Sequence, residues 1–286
     1  MEFGMSTTVV KTRMDPDYVD RYRAVGMTCL EIGARPVFID PEDREQQAIL
    51  REHFEKTGTR AHSIHAPFQN RLTIAHEDAE VREEAIRSAR VAARVIVALG
   101  GDVVVVHPGD VTREVADMDA YMSRVYDHLP RIVDAIVSEG ARVAFENLLP
   151  ERMPDHPDVL MALVERFPSE LVGVCIDTGH AHCTQWKTEF IRRAASRIIT
   201  THIQDCDGQN DQHLMPGYGS INWDSYMQAF YEAGYAGPWI FEVGKAGEAA
   251  LEQAADAMNL LRGAWEQAMA DDRATSGSSQ TVIPDG

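Results

Sequence analysis

What most constrains this chain is an alternation that runs its whole length, in which short apolar runs are each followed by a longer amphipathic stretch. The strand candidates are Glu2–Thr8, Met27–Gly33, Arg60–His65, Asp102–His107, Arg142–Glu146, Leu171–Asp177, Ile198–Gln204 and Pro238–Val243. Valine fills every position from 103 to 106. A strand apolar at consecutive positions has both faces covered, as in a parallel sheet flanked by helices.

Between these runs the period changes. Across Asp78–Leu99, Ile86, Ala89, Ala93, Ile96 and Val97 recur at helical spacing, with Glu83, Glu84 and Arg87 on other faces. Gly100-Gly101 stops that helix just before the next strand, and Gly140 and Gly234 or Gly237 do the same later. Asp15-Pro16 has the form of an N-cap followed by proline in the first helical position. Repeated strand–helix alternation without a break in composition predicts an α/β fold, a single (β/α)8 TIM barrel over residues 1–270. An open doubly wound sheet would usually carry a glycine-rich phosphate loop after its first strand, where this chain has Ser6-Thr7-Thr8. Residues 271–286 are rich in Ser, Thr and Gly and are expected to form a disordered tail.

A length of 286 residues suits one barrel, and 44% hydrophobic with 25% charged residues gives a sizeable core without disulfides. Cys29, Cys175, Cys183 and Cys206 show no paired spacing and read as reduced thiols of a cytoplasmic protein. No leader-like N-terminus stands out, and no apolar stretch reaches the roughly 18 residues of a membrane helix. A soluble protein is expected. Lys and Arg number 27 against 45 Asp and Glu, a formal net charge of -18. That surplus repels polyanions and disfavours nucleic acid as a partner.

Barrel enzymes carry their chemistry at the C-terminal ends of the strands. Here those ends hold Glu31, His65, His107, Glu146, Asp177 with His180 close behind, His202 and Glu242. Each has a structural explanation when taken singly. A lone His65 or His107 is commonly a core histidine, Glu31 is expected to pair with Arg35, and Asp177–His180 could be a simple Asx turn. Together they would converge on the axis of a closed ring. Glu146, Asp177, His202 and Glu242, from successive strands, form the primary candidate ligand set. Carboxylates with imidazoles suit Mn²⁺, Co²⁺, Mg²⁺ or Zn²⁺. Without a cation, three carboxylates in one cavity would repel one another. The long loop from Asp205 to Ile221 adds Asp211 and His213 beside Pro216-Gly217-Tyr218-Gly219.

His-Ala-Pro at 65–67, His-Pro-Gly at 107–109, Glu-Asn at 146–147, Ile-Asp-Thr-Gly-His at 176–180, Thr-His-Ile-Gln-Asp at 201–205 and Asp-Gln-His-Leu-Met-Pro-Gly-Tyr-Gly at 211–219 resemble the xylose isomerase-like TIM barrels. The resemblance extends in order to about Glu242. It implies a divalent-metal-dependent isomerase or epimerase of a sugar, cyclitol or related polyhydroxy carbonyl compound. Glu146, Asp177, His202 and Glu242 would hold the metal, Mn²⁺ first among the candidates. Glu146 and Glu242 would move the proton α to the carbonyl through a metal-stabilised enediolate, and His180 would touch a substrate oxygen. The superfamily also contains endonuclease IV, whose three-zinc site has counterparts here in His65, His107, Glu146, Asp177, His180, His202, Asp211, His213 and Glu242. A phosphodiesterase is therefore the alternative, with a dehydratase or lyase a third. The net charge, and the single Arg35 and Phe38 in the segment where the repair enzyme carries its basic and aromatic wedge, favour a small carbohydrate substrate. Phe68 could wall a sugar pocket, Trp186 could stack on a sugar face or pack on a helix, and Arg71, Arg113, Arg152 or Lys245 could meet a phosphate. Homo- or hetero-oligomers remain open.

Overall fold

The computed structural model describes residues 1–68, 72–109, 111–244 and 247–277. Strands β1 (Phe3–Ser6), β2 (Cys29–Gly33), β3 (Arg60–His65), β4 (Val103–Val106), β5 (Arg142–Glu146), β6 (Val172–Asp177), β7 (Ile198–His202) and β8 (Trp239–Phe241) run in chain order. Between and after them lie helices α1 (Pro16–Ala24), α2 (Arg44–Thr57), α3 (Ala79–Leu99), α4 (Met118–Val137), α5 (Pro157–Val164), α6 (Thr178–Cys183), α7 (Glu189–Ala194), α8 (Trp223–Glu232) and α9 (Ala249–Gly277). The strands form one sheet in the order β7-β6-β5-β4-β3-β2-β1-β8, every named pairing parallel. Ile203 closes the ring on Phe241: its N–H donates to the Ile240 carbonyl at 2.7 Å and its own carbonyl accepts from Glu242 at 3.1 Å. The expected (β/α)8 barrel forms.

The valines of β4 show why the strands are apolar at every position. Val104 and Val106 pack outward into the layer between sheet and helices, while Val103 and Val105 meet Ala144 and Cys175 inside the barrel. Burying a side chain of this size stabilises by about 1.5–3 kcal/mol. Local signals set the helix ends. The Asp15 carboxylate accepts from the Tyr18 N–H at 2.8 Å ahead of Pro16, and Asp78 caps α3 the same way on Glu80. Gly100 ends α3 at φ 92°, a left-handed conformation in which a Cβ would be strained. Along α3, Ile86, Ala89, Ala93 and Ile96 are buried, but Val97 faces solvent, one position past the buried stripe.

Several apolar runs overreach the strands by a residue or two, because residues at the barrel mouth leave the ladder to form the site. His107 and Glu242 each stand just beyond a strand end. Helix α9 continues to Gly277, so residues 271–277 extend a helix rather than a tail, and Tyr231 Oη donates to Asp272 Oδ2 at 3.2 Å. Residues 278–286, Arg71 and Lys245 lie outside the described residues. Among the described residues no helix is long and apolar enough to cross a membrane, and the four cysteines are free thiols.

Candidate metal centre

Parallel strands deliver their last residues to one rim, and register decides which of them meet. Asp177 pairs with His202 across β6 and β7, and Glu31 lies between Ser6 and Ser63. At the rim, Glu146, Asp177, His202 and Glu242 each offer a ligand atom, all within 4.8 Å of one another. His202 Nδ1 stands 3.1 Å from Glu146 Oε1, 3.3 Å from Glu242 Oε2 and 4.0 Å from Asp177 Oδ2. The same distance limit encloses His65, His107 and Glu146 on one side, and His180, Asp211 and His213 on the other. All nine residues singled out by sequence therefore belong to one linked cluster, seven of them lining a cavity and Asp177 and His202 buried beneath it. Glu146 connects the first two groups, and His180 Nδ1 lies 3.3 Å from its Oε1.

Imidazole orientation tests whether this set fits a metal. His65 Nδ1–H donates to the Ala66 carbonyl at 2.8 Å, His180 Nδ1–H to Asn147 at 3.0 Å and His213 Nδ1–H to the Glu242 carbonyl at 2.9 Å. His202 instead uses Nε2–H, which Glu31 accepts at 3.0 Å. In each ring the nitrogen left over points at cluster carboxylates: His65 Nε2 at Glu146, His213 Nε2 at Asp211, His202 Nδ1 at Glu146 and Glu242. Anchoring one nitrogen outside while the other faces inward is how metal-binding histidines are held. The donor set fits a divalent cation.

Electrostatics agree. Burial pushes the Asp177 and Glu242 carboxyls up despite neighbouring imidazoles, which disfavours three bare charges in the absence of a cation. Burial also raises Glu146, but His202 and His107 pull it well below the ordinary carboxylate range. Burial would lower His180 and His202, yet adjoining acidic groups raise both well above the ordinary value. In His107 burial prevails and pushes the ring down to about 4.

Glu31 corrects a sequence expectation. It does not pair with Arg35; it is fully buried, accepting from His202 and from Ser63 Oγ at 2.8 Å. Strand alternation turns it into the barrel, whereas Arg35 lies in the exposed loop beyond Gly33. Phe68 does line the cavity, stacked on His107 with ring centroids 4.4 Å apart. Trp186 does not; it packs on His156 at 4.1 Å and against the outer core. Asn147 and Gln204 were missed. Asn147 Nδ2 donates to the Asp177 carbonyl at 3.0 Å, and Gln204 Nε2 bridges Asp177 and Asp211. Their only signal was adjacency to ligands in Glu-Asn and His-Ile-Gln.

The loop after β7 is ordered by Asp205. Its buried carboxylate accepts from the N–H groups of Cys206, Gly217 and Ile221 and from the Trp223 indole, each at 2.9–3.0 Å. Asp205 and Leu214 bond reciprocally through their backbones, which places Asp211 and His213 over the rim. The cavity beneath measures about 300 Å³.

The model of the xylose isomerase-like TIM barrel family matches residues 19–264. The chain belongs to that family. An uncharacterized protein of Methanocaldococcus jannaschii is 27% identical over 247 residues, covering 83% of this chain and 82% of the relative. Among solved structures, a D-tagatose 3-epimerase-like protein superposes with TM-score 0.81 at 23% identity, covering 95% of this chain and 99% of its own. An L-ribulose 3-epimerase gives TM-score 0.79 at 18% identity with full coverage of both chains. At these identities the structures show the shared fold of this xylose isomerase-like barrel.

Proposed function

We propose that this chain is a divalent-metal-dependent isomerase or epimerase of a small polyhydroxy carbonyl compound. One observation carries this: Glu146 and Glu242 approach the same His202 nitrogen, at 3.1 and 3.3 Å, beside Asp177. The two glutamates come from β5 and from just beyond β8, so a substrate between them meets a carboxylate from each side. One takes the proton α to the carbonyl; a proton returned by the other to the opposite face of the same carbon inverts it, whereas a proton returned to the former carbonyl carbon, with a proton passed between the two oxygens, shifts the carbonyl. A divalent cation held by Glu146, Asp177, His202 and Glu242 would act as Lewis acid on carbonyl and hydroxyl oxygens; Mn²⁺ is the first candidate, then Co²⁺, Mg²⁺ and Zn²⁺. His180 is placed to donate to a substrate oxygen, and Phe68 walls the pocket. A cavity of about 300 Å³ suits a small molecule. The structural relatives named as sugar epimerases support the same class.

A second reading rests on the two further ligand groups, which could hold a second and third ion around Glu146 as in a phosphodiesterase. The acidic net charge of -18 favours the first. Metal content measured alongside an aldose and ketose panel separates them. Turnover with Mn²⁺ or Co²⁺ supports the isomerase, whereas three zinc ions per chain with cleavage of an abasic duplex establishes the phosphodiesterase. A dehydratase would lose water, so an unchanged product mass excludes it.

A further inference from the structure

Arg152 lines the metal-centre cavity on the wall shared with Leu149, His180 and Asp211, and also a second cavity of about 380 Å³ that opens beside it. It is half-buried, and its guanidinium has no hydrogen-bond or ion-pair partner among the described residues. Asp211, which lines both cavities with it, is engaged by His213 Nε2 at 3.0 Å and Gln204 Nε2 at 3.1 Å. The neighbouring Arg113 is held by Glu151 at 3.2 Å on the exposed surface. An arginine keeps its charge at any working pH, and leaving it half-buried without a partner is costly.

The backbone beneath Arg152 is fixed. Its N–H donates to the Leu149 carbonyl at 2.9 Å, and it bridges Val111 of the preceding loop. Next to it, Thr112 N–H donates to the Glu151 carbonyl at 2.7 Å, and Leu148 N–H to Pro154 at 2.9 Å. Met153 is buried and its carbonyl lies where a Cβ at Gly109 would stand, so the β4 and β5 loops interlock. A well-bonded turn thus carries a free guanidinium on the wall that the two cavities share.

We infer that Arg152 anchors an anionic group on the substrate, a phosphate ester or a carboxylate, at the end remote from Glu146 and Glu242. This rests on the small-molecule isomerase reading and names its substrate class: acidic polyhydroxy carbonyl compounds. A planar guanidinium binds either anion through paired N–H donors. A chain with net charge -18 repels anions at long range, so a cation on the cavity wall, beside the divalent-metal site, favours retention of such a substrate. Lys11 and Arg35 border a third cavity on the opposite side of the mouth, but both are exposed, where solvent screens their charge.

Calorimetric binding of D-ribose 5-phosphate, D-ribonate and D-ribose to the full chain, metal-loaded and metal-free, tests the assignment. At least one anion is expected to bind about tenfold or more tightly than D-ribose. Which anion is preferred distinguishes phosphate from carboxylate. Arg152→Gln should abolish the preference, and Arg152→Lys should keep part of it. The assignment is overturned by equal binding of all three sugars, by no binding of either anion, or by a preference that survives Arg152→Gln and disappears in Lys11→Gln. Binding is read without turnover, so an Arg152-dependent preference with no α-proton exchange on any sugar would count against the isomerase reading alone.

Discussion

Glu31 accepts the Nε2–H of His202 at 3.0 Å, and this contact turns Nδ1 of the same ring towards Glu146 and Glu242. Both side chains are fully buried, so neither has water as an alternative partner. Burial would raise the Glu31 carboxyl, but His202, His65 and Ser63 hold it below its ordinary value. A carboxylate behind a metal-binding histidine fixes its tautomer and raises its basicity. Glu31→Gln keeps the shape and removes the charge, and should weaken divalent-metal affinity about 10- to 100-fold with the fold retained. Chelator competition followed by circular dichroism measures both, and unchanged affinity would make the contact a packing detail.

Glu146 and Glu242 have different surroundings and the same proposed task. Replacing either by glutamine should lower turnover by about 10²- to 10⁴-fold, the usual size of a general acid–base contribution. With one carboxylate left, proton exchange on a single face of the substrate should outlast inversion. NMR in deuterated water reads this directly; equal loss of exchange and inversion in both variants would argue that they act only as ligands.

Acidity couples to stability through the histidines. Burial would lower His213, but Asp211 and Glu242 raise it to about 9 from an ordinary 6.5, and His65, His180 and His202 shift the same way. A group raised on folding stabilises fully below its unfolded value and loses that contribution as pH rises through its folded value. The melting temperature of the metal-free protein should therefore fall between about pH 6.5 and 9. Metal affinity should rise over the same interval, because the cation replaces those protons. A melting temperature flat across that window would contradict the shifts.

Asp205 belongs to none of the candidate ligand groups among the described residues and should still matter. Asp205→Ala strands three backbone N–H groups and the Trp223 indole, and each unmet buried donor costs about 1–3 kcal/mol. A large drop in stability is expected, with faster hydrogen exchange across 206–221. A drop below about 1 kcal/mol would mean that water replaces the carboxylate.

How much of this was legible depended on periodicity and position. The barrel was readable because β-type runs and helical stripes alternate, and the rim residues because ligand-type side chains recur where apolar runs end. The gathering of nine residues into one cluster is not readable from spacing, since it depends on strand register and ring closure at Ile203 and Phe241. The sequence misleads at Glu31 because Arg35, four residues on, has already left the strand for an exposed loop, while Glu31 still points into the barrel. At Trp186 helical spacing cannot tell a cavity wall from a packed core. Composition placed 271–277 in a tail, although a helix that packs on α8 carries through those residues.

The most direct test incubates the Mn²⁺-loaded chain with a panel of ketoses and sugar acids in deuterated water and follows both products and label. The expected result is deuterium at the carbon α to the carbonyl, with a stereoisomer or carbonyl-shifted product of otherwise unchanged mass, and in Glu146→Gln a product that is lost more completely than the label. No incorporation on any sugar, together with three bound zinc ions and cleavage of an abasic duplex, would contradict it.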